Sequence, residues 1–213
     1  MHTNRREFLT EDEYLEFDEN SAVKHEYVEG RVLAMTGAVL RHSLIVGNIF
    51  NAFYNALAGG PCRAFTENTR VKIKAANCFY YPDVLVACEG MDDLDAKFIE
   101  TPALIIEVMS RSTAAIDRRE KFTNYTKLAS LKEYALVHQK RRKVEIFRRD
   151  ESNSWNTFVF QANEDVIFQC LARELKLSMD AVYGDLNKAG NLEVKEETPE
   201  YLLSDDELFE LNW

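Results

Sequence analysis

The sequence lacks the long apolar segments that membrane-spanning and exported chains carry. No apolar run approaches the roughly 20 residues that a membrane helix needs. The N-terminal stretch MHTNRREFLTEDEYLEF is charged and has no apolar core of the kind found in signal peptides. We therefore expect no membrane partner and a cytoplasmic location.

Cysteine is scarce, and its four occurrences match no metal-binding pattern. Cys62, Cys78, Cys88 and Cys170 form no CxxC pair and do not have zinc-ligand spacing. We expect free thiols that are kept reduced in the cytosol.

Positive charge is also in short supply, since the net charge is −10, which argues at first against a nucleic-acid partner. Much of the negative charge is local, because residues 191–213 hold eight acidic side chains against one lysine. The segment KRRKVEIFRR (140–149) holds six basic residues against one glutamate. Two interpretations stay open for this segment, a solvated hairpin or a surface that contacts phosphates. The candidate phosphate contacts are Arg141, Arg142, Lys143 and Arg148.

What the sequence does contain suits a globular protein. Of its 213 residues 46% are hydrophobic, and the 13 Phe and 9 Tyr argue against disorder. A chain of this length can bury a substantial core. We predict a single domain over residues 1–190, followed by an acidic C-terminal tail over residues 191–213.

Helix and strand signals alternate along the chain. Thr10 and Glu13 form a capping box that opens a helix, and apolar residues recur at helical spacing from Leu40 to Leu57. A hairpin is predicted at residues 24–35, strands at 62–67, 69–75, 79–87 and 103–110, and a helix at 113–129, with a polar loop at 91–102. A hairpin at 133–149, strands at 157–161 and 166–170, and a helix at 178–186 follow. This order indicates an α+β or mixed α/β fold.

One acidic residue lies where an ionised side chain is costly. Glu107 is at the centre of the apolar run ALIIEVM (103–109), which is typical of a strand buried on both faces. Burial of a lone carboxylate costs several kcal/mol unless the group is paired, neutralised or bound to a metal. A structural salt bridge and a functional site both explain its presence.

A second carboxylate favours the functional interpretation. Asp83 follows Pro82, which cannot donate to a sheet ladder, and precedes the apolar residues 84–86. An aspartate that caps a turn is the simpler alternative. Two acids on neighbouring strands repel unless a cation lies between them, and carboxylate oxygens are the ligands that Mg²⁺ and Mn²⁺ prefer.

A lysine follows on the next predicted helix. Lys121 lies in DRREKFTNY (117–125), where Phe122 and Tyr125 mark the side that packs on the protein. A lysine on a solvated helix face is the common alternative. On the packed side it would extend over the end of the preceding strand, close to Glu107.

Together these residues resemble the PD-(D/E)XK nuclease superfamily, with PD at 82–83, Glu107 in an apolar strand and a lysine after it. More narrowly, KHEYVEGRV, GGPCRAF, YYPDV, IIEVMSRST and DRREKFTNY look like the restriction-endonuclease-like family called Uma. The resemblance runs from about Leu9 to about Leu186. It implies a restriction-endonuclease-like core, in which a mixed β-sheet is flanked by helices. It also implies hydrolysis of phosphodiester bonds with Mg²⁺, for which Mn²⁺ can substitute.

The resemblance gives the metal site its expected residues. Asp83 and Glu107 would hold the metal together with the backbone carbonyl of Val108. Glu26, in KHEYVEG, matches a region where the superfamily often has a further acidic catalytic residue. An exposed hairpin glutamate is the alternative for Glu26. His42 resembles a recurring family histidine at the start of a helix and is an additional candidate.

The chain departs from the superfamily pattern at one position. Met109 occupies the place where (D/E)XK has its lysine, and many relatives move that lysine to the next helix, where Lys121 fits. The resemblance further implies DNA as the substrate and a homodimer. Two other interpretations stay open: a nuclease fold that no longer cuts and serves as a binding or assembly module, and a metal-free core in which Lys121 only pairs with Glu107.

Overall fold

The computed structural model describes residues 8–110, 113–171 and 174–188, so the predicted tail at 191–213 lies outside the described residues. The helices are α1 Glu11–Glu19, α2 Leu40–Ala56, α3 Ala114–Ile116, α4 Phe122–Tyr125 and α5 Met179–Lys188, with a π-helical turn at Asp117–Lys121 between α3 and α4. The strands are β1 His25–Val28, β2 Arg31–Ala34, β3 Arg63–Thr66, β4 Arg70–Ile73, β5 Cys78–Tyr80, β6 Val84–Ala87, β7 Phe98–Ile99, β8 Pro102–Met109, β9 Glu133–His138, β10 Lys143–Arg149, β11 Trp155–Gln161, β12 Asp165–Phe168 and β13 Leu175–Ser178.

The largest sheet has six strands in the order β11-β10-β9-β8-β6-β3. Strands β8 and β9 run parallel, while β6 and β10 pair antiparallel to their neighbours, which makes the sheet mixed. Successive strand residues point to opposite faces, so each face carries its own apolar cluster. On one face α2 and α5 pack against the sheet, and on the other face α4 and the turns after it do so. The predicted fold class, a mixed sheet flanked by helices, is therefore confirmed.

A second sheet lies beside the first, with the order β2-β1-β5-β4-β7. Helix α1 packs against it through Tyr14, whose ring stacks on Tyr27 and contacts Phe79. Its start agrees with the predicted capping box, because Thr10 accepts a hydrogen bond from the Glu13 backbone and the Glu13 side chain accepts one in return. The hairpin β1–β2 lies where the sequence predicts it.

The single strand predicted at residues 79–87 is two strands, β5 in the five-stranded sheet and β6 in the six-stranded sheet, because the chain leaves one sheet for the other around Pro82. Two further short strands were not predicted. Strand β7 has only two residues and lies inside the segment predicted as a polar loop, where it pairs in parallel with β4. Strand β13 pairs with β12 in a separate two-stranded sheet. Strand β7 pairs with a strand that is distant in sequence. Strand β13 has only four residues, too few to show a clear period of two.

The predicted helix from residue 113 to about Ala129 is shorter and less regular than expected. It ends at Tyr125 and contains the π-helical turn. The chain must return to the start of β8 before it can form the parallel strand β9. It has already done so at Ser130 and Lys132. The Ser130 hydroxyl donates to the Pro102 carbonyl, and the Lys132 N–H donates to the Ala103 carbonyl.

The expectation of four free thiols is wrong for one pair. Cys62 and Cys88 form a disulfide. They lie one residue beyond the antiparallel pair formed by Arg63 of β3 and Ala87 of β6, so sheet register brings them together. The sequence separation of 26 residues gives no local sign of this pairing.

In the described part of the chain, no helix is long and apolar enough to cross a membrane.

Candidate active site

The two predicted carboxylates lie side by side on the six-stranded sheet. Val84 of β6 pairs with Ile106 of β8, so Asp83 and Glu107 occupy the next positions of the two strands and project from the same face. Glu107 is only 3% exposed. Pro82 and Asp83 precede β6, as the proline predicted, and this places the Asp83 carboxylate at the strand end rather than within the ladder.

Lys121 reaches this position from the π-helical turn. Its ammonium Nζ lies 2.8 Å from Glu26 Oε1, 3.3 Å from Glu107 Oε1 and 3.7 Å from Asp117 Oδ1. The lysine is 7% exposed, so the solvated-face alternative does not describe it. The structure therefore brings together Glu26, Glu107 and Lys121 from β1, β8 and the turn.

Tyr125 holds Glu107 from a second direction. Its hydroxyl donates to Glu107 Oε1 at 3.1 Å, the same oxygen that Lys121 contacts. Glu107 is thus held at Oε1 by two donors, the ammonium of Lys121 and the hydroxyl of Tyr125.

Asp83 is held by the backbone of the Glu107 strand and by a histidine. Its Oδ2 accepts a 2.6 Å hydrogen bond from the Val108 N–H, and its Oδ1 lies 3.0 Å from His42 Nε2. The other ring nitrogen of His42 lies 3.2 Å from the Gln139 amide nitrogen. Burial lowers the pKa of His42, but the bond to Asp83 and the backbone of Val108 outweigh burial and raise it above its usual value. His42 and the Val108 backbone therefore belong to the same site as Asp83.

Negative charge exceeds positive charge inside this site. The Lys121 ammonium lies within 4 Å of three carboxylates, those of Glu26, Glu107 and Asp117. Asp83 is a fourth carboxylate, close enough to raise the pKa of Glu107. Burial raises the pKa of Glu107 well above its usual value, and Asp117, Asp83 and Glu26 add to this while Lys121 opposes it. Burial also raises the pKa of Asp117.

The same carboxylates act on the lysine in the opposite direction. Burial lowers the pKa of Lys121, but Glu107, Glu26 and Asp117 outweigh it and raise the pKa well above its usual value. The lysine therefore carries its charge at neutral pH. The negative charge of the site still exceeds its positive charge, so further positive charge would be stabilised there.

The donor chemistry of this site fits a divalent cation. Among the described residues, no group of three or more His, Cys, Asp and Glu side chains is arranged to hold a metal by itself. Mg²⁺, however, usually keeps several waters and takes only one or two protein carboxylates plus substrate phosphate oxygens. Asp83 and Glu107 supply two oxygen donors on one sheet face, and the surplus of carboxylates favours an added cation.

Three residues around Lys121 were missed in the sequence. Asp117 lies four residues before Lys121, a spacing that predicts an ion pair on a helix and could have identified it. Tyr125 was read only as a packing residue, yet its hydroxyl binds Glu107. Tyr80 has its ring centroid 5.4 Å from Lys121 Nζ, and nothing in the local sequence indicates this contact.

The four predicted phosphate contacts do not form one patch. Arg148 pairs with the buried Glu133, donates to the Ile167 carbonyl and stacks on Phe158, so it is committed to the fold. Arg142 pairs with Asp180.

The other two lie in or next to the β9–β10 turn. The Arg141 carbonyl accepts a hydrogen bond from the Lys143 N–H. Lys143 Nζ lies 3.0 Å from Glu145 Oε1. Of the four side chains, Lys143 is therefore the one that joins a charged cluster of the sheet.

Comparison with known proteins gives the chain relatives along most of its length. The family model Uma2, described as "Putative restriction endonuclease", matches residues 11–180. The Synechocystis sp. protein named "Uncharacterized protein slr1290" is 31% identical over 178 residues, which are 84% of this chain and 93% of that protein. A second Synechocystis sp. protein, "Uncharacterized protein sll1609", is 29% identical over 149 residues, or 69% of this chain and 84% of that protein.

The fold is also found in a solved structure. The crystal structure of a protein described as a "putative nuclease belonging to DUF820", from Anabaena variabilis, matches with a TM-score of 0.69. The match covers 83% of this chain and 98% of that chain at 21% sequence identity. Identity at this level shows a shared fold.

The raised pKa of Glu107 predicts how stability depends on pH. Between the unfolded-state pKa of about 4.3 and the higher pKa in the folded protein, the folded state binds more protons than the unfolded state. The free energy of unfolding should therefore fall as pH rises through this window, by up to about 1.4 kcal/mol per pH unit for one group. Glu107→Gln should flatten this slope in denaturant titrations at pH 5 to 8.

Glu151→Gln is the matched control, because Glu151 is exposed on the turn between β10 and β11. Its slope should equal that of the unmodified protein. A Glu107→Gln slope that also equals it would show that the pKa of Glu107 is not raised in the folded protein, and the predicted effect of burial and of the neighbouring carboxylates would be wrong.

Proposed function

This chain belongs to the Uma2 family, and from this membership and the geometry of its site we propose that it hydrolyses phosphodiester bonds of nucleic acid with the help of Mg²⁺. The observation that carries the proposal is the meeting of Asp83, Glu107 and Lys121 on one face of the sheet. Residues from two strands and a separate helical turn converge there, although 38 positions separate the first from the last. A metal-free structural pair would need only Lys121 and Glu107.

The proposed metal ligands are Asp83, Glu107 and the backbone carbonyl of Val108, with Mn²⁺ able to take the place of Mg²⁺. When bound, the cation supplies Lewis-acid activation of the phosphate and the attacking water. The 2.6 Å bond from the Val108 N–H fixes the Asp83 carboxylate, and Tyr125 fixes Glu107. Such rigid placement avoids reorganisation during the reaction.

Lys121 acts on the substrate and not on the metal. Its ammonium is held by Glu26 and Glu107 and keeps its charge at neutral pH, so it can stabilise negative charge that builds on the phosphate and orient a water. Glu26 positions Lys121 in this assignment, and it also lies close enough to the carboxylates to raise the pKa of Glu107. His42 Nε2 lies 3.0 Å from Asp83 Oδ1, and as the donor of this hydrogen bond it sets the orientation of the carboxylate.

DNA is the proposed substrate, and a homodimer that cuts both strands is the proposed assembly. Both rest on the family resemblance. A second candidate function, a nuclease fold that binds nucleic acid or assembles without cutting, is favoured by one observation. The two carboxylates already have protein partners, Lys121 and Tyr125 for Glu107, and His42 and the Val108 N–H for Asp83.

A cleavage assay separates these functions. Supercoiled plasmid and single-stranded DNA should be cut by the protein in Mg²⁺ or Mn²⁺ and left intact in EDTA. Asp83→Asn should lose at least 100-fold in rate, an order-of-magnitude expectation for removal of a metal ligand. The control Asp95→Asn changes an exposed loop aspartate and should cut at the rate of the unmodified protein.

Cutting that persists in EDTA, or an Asp83→Asn variant as fast as its control, would contradict the metal-dependent mechanism. DNA that is bound but never cut under any of these conditions would favour the binding module instead.

Lys121 takes the role of the lysine that the superfamily has at the position of Met109, and substitutions test this role. Lys121→Met should abolish cutting while it still binds Mn²⁺ and DNA, because the ammonium acts on substrate charge. Lys121→Arg should recover little, since a planar guanidinium does not replace a compact ammonium in a buried site. Met109 lies two residues after Glu107 on the same face of β8 and is 6% exposed. The double variant Met109→Lys/Lys121→Met should therefore recover part of the activity.

Circular dichroism and a melting curve must show that each variant is folded. A folded Lys121→Met protein that cuts as fast as the unmodified one would make Lys121 a structural residue only.

A further inference from the structure

A second charged cluster lies on the same side of the sheet as the candidate active site. The carboxylate of Glu145, on β10, accepts a bidentate pair of hydrogen bonds from Arg118 at 2.8 and 2.9 Å. His138 Nε2 lies 2.8 Å from Glu145 Oε1, and Lys143 Nζ lies 3.0 Å from the same oxygen. One acidic group thus gathers three basic side chains.

The cluster has more positive charge than it needs for its own balance. Arg118 and Lys143 together carry two positive charges against the single charge of Glu145. Burial raises the pKa of Glu145, but the bonds from His138, Arg118 and Lys143 outweigh it and lower the pKa, so the group is ionised at neutral pH. The carboxylate is buried, with its side chain 7% exposed, whereas the Arg118 side chain is 41% exposed.

The basic side chains retain hydrogen-bond donors that Glu145 does not use. A guanidinium has five N–H groups, and a bidentate bond to a carboxylate occupies two of them. An ammonium has three, of which one is directed to Glu145 in Lys143. Glu145 therefore holds these side chains in place without consuming their capacity to bind an anion.

The cluster is aligned with the metal-binding carboxylates. Glu107 pairs with Leu136 of β9, and Leu136 pairs with Glu145 of β10, so the two glutamates lie in one row across the sheet and project from the same face. Two strand spacings separate them, or about 10 Å.

The helical turn over this face serves both groups at once. Arg118 and Lys121 belong to the same π-helical turn, and they reach Glu145 and Glu107 respectively. Turns of this kind are frequent at functional sites. On the sheet side, Met109 pairs with His138, and the next residue, Gln139, contacts His42 of the active site.

We propose that Arg118, His138 and Lys143, held by Glu145, bind a phosphate of the nucleic-acid backbone that neighbours the phosphate being cleaved. This inference rests on the proposed function and deepens it, since it names where the substrate strand runs: from Asp83 and Glu107, past the end of β9 at His138, to the start of β10 at Lys143. Arg118 and His138 were not among the expected contacts. Arg148, which was, binds Glu133 at the opposite end of β10.

The test is DNA binding without cleavage, measured by fluorescence anisotropy of a labelled duplex in EDTA over a range of salt concentrations. Arg118→Gln/Lys143→Gln should weaken binding and lower the slope of log affinity against log salt by about 0.9 for each lost phosphate contact. Glu145→Gln should leave the slope equal or steeper and the affinity equal or higher, because it removes only the negative charge. Lys176→Gln, at an exposed lysine on β13, is the control and should change neither quantity.

The two glutamine substitutions at basic residues can lower stability, so melting curves must show folded protein at the assay temperature. A purely structural cluster predicts that Arg118→Gln/Lys143→Gln changes neither the affinity nor the salt slope relative to Lys176→Gln, and this result would overturn the proposal. If the unmodified protein cuts DNA while the Arg118→Gln/Lys143→Gln protein binds with an unchanged slope, the subsite is wrong and the nuclease function stands. An unmodified protein that neither binds nor cuts DNA would overturn both.

Discussion

The ammonium group of Lys121 is the one positive charge that holds several buried carboxylates together. It joins Glu26 of the five-stranded sheet, Glu107 of the six-stranded sheet and Asp117 of its own helical turn. An uncompensated carboxylate in such a position would cost several kcal/mol. Lys121 therefore links the two sheets and the turn above them through ion pairs, in addition to the apolar cluster that joins them. These ion pairs explain why a charged residue can occupy the centre of β8.

The same arrangement leaves the site incompletely neutralised. One lysine cannot balance Glu26, Asp83, Glu107 and Asp117, so the folded protein either takes up protons or binds a cation. A protein selected only for stability would do better with apolar residues of similar volume. A site whose function requires the uptake and release of protons or metal ions retains such carboxylates although they lower stability. The basic cluster around Glu145 complements it, because an excess of positive charge lies two strands away, on the path that we propose for an anionic backbone.

Local patterns predicted much of the fold and the main residues of the site. The capping box of α1, the β1–β2 hairpin and the apolar period of α2 are local signals, and the elements formed as expected. The charge of Glu107 inside an apolar run, and Lys121 on the next helix, were visible for the same reason. The disulfide of Cys62 and Cys88 depends on strand register between distant segments, which local periodicity does not show.

The other features that the sequence did not predict also depend on geometry that local periodicity does not show. The π-helical turn shifts the side chains of Asp117 and Lys121, and regular 3.6-residue spacing does not foresee it. The contact of Arg118 with Glu145 spans 27 residues and depends on the crossover between β8 and β9. A basic run in the sequence likewise does not tell which of its side chains face a buried partner, as Arg148 faces Glu133.

Direct measurement of Mn²⁺ binding tests the central claim, that the excess of carboxylates around Lys121 is a divalent-cation site. Calorimetric titration of the unmodified protein at pH 7 should show saturable binding of Mn²⁺ that Mg²⁺ displaces, and Glu107→Gln should lose at least tenfold in affinity. The Glu151→Gln protein should bind as the unmodified protein does. Equal binding by the Glu107→Gln and Glu151→Gln proteins, or no saturable binding by any of them, would contradict the account.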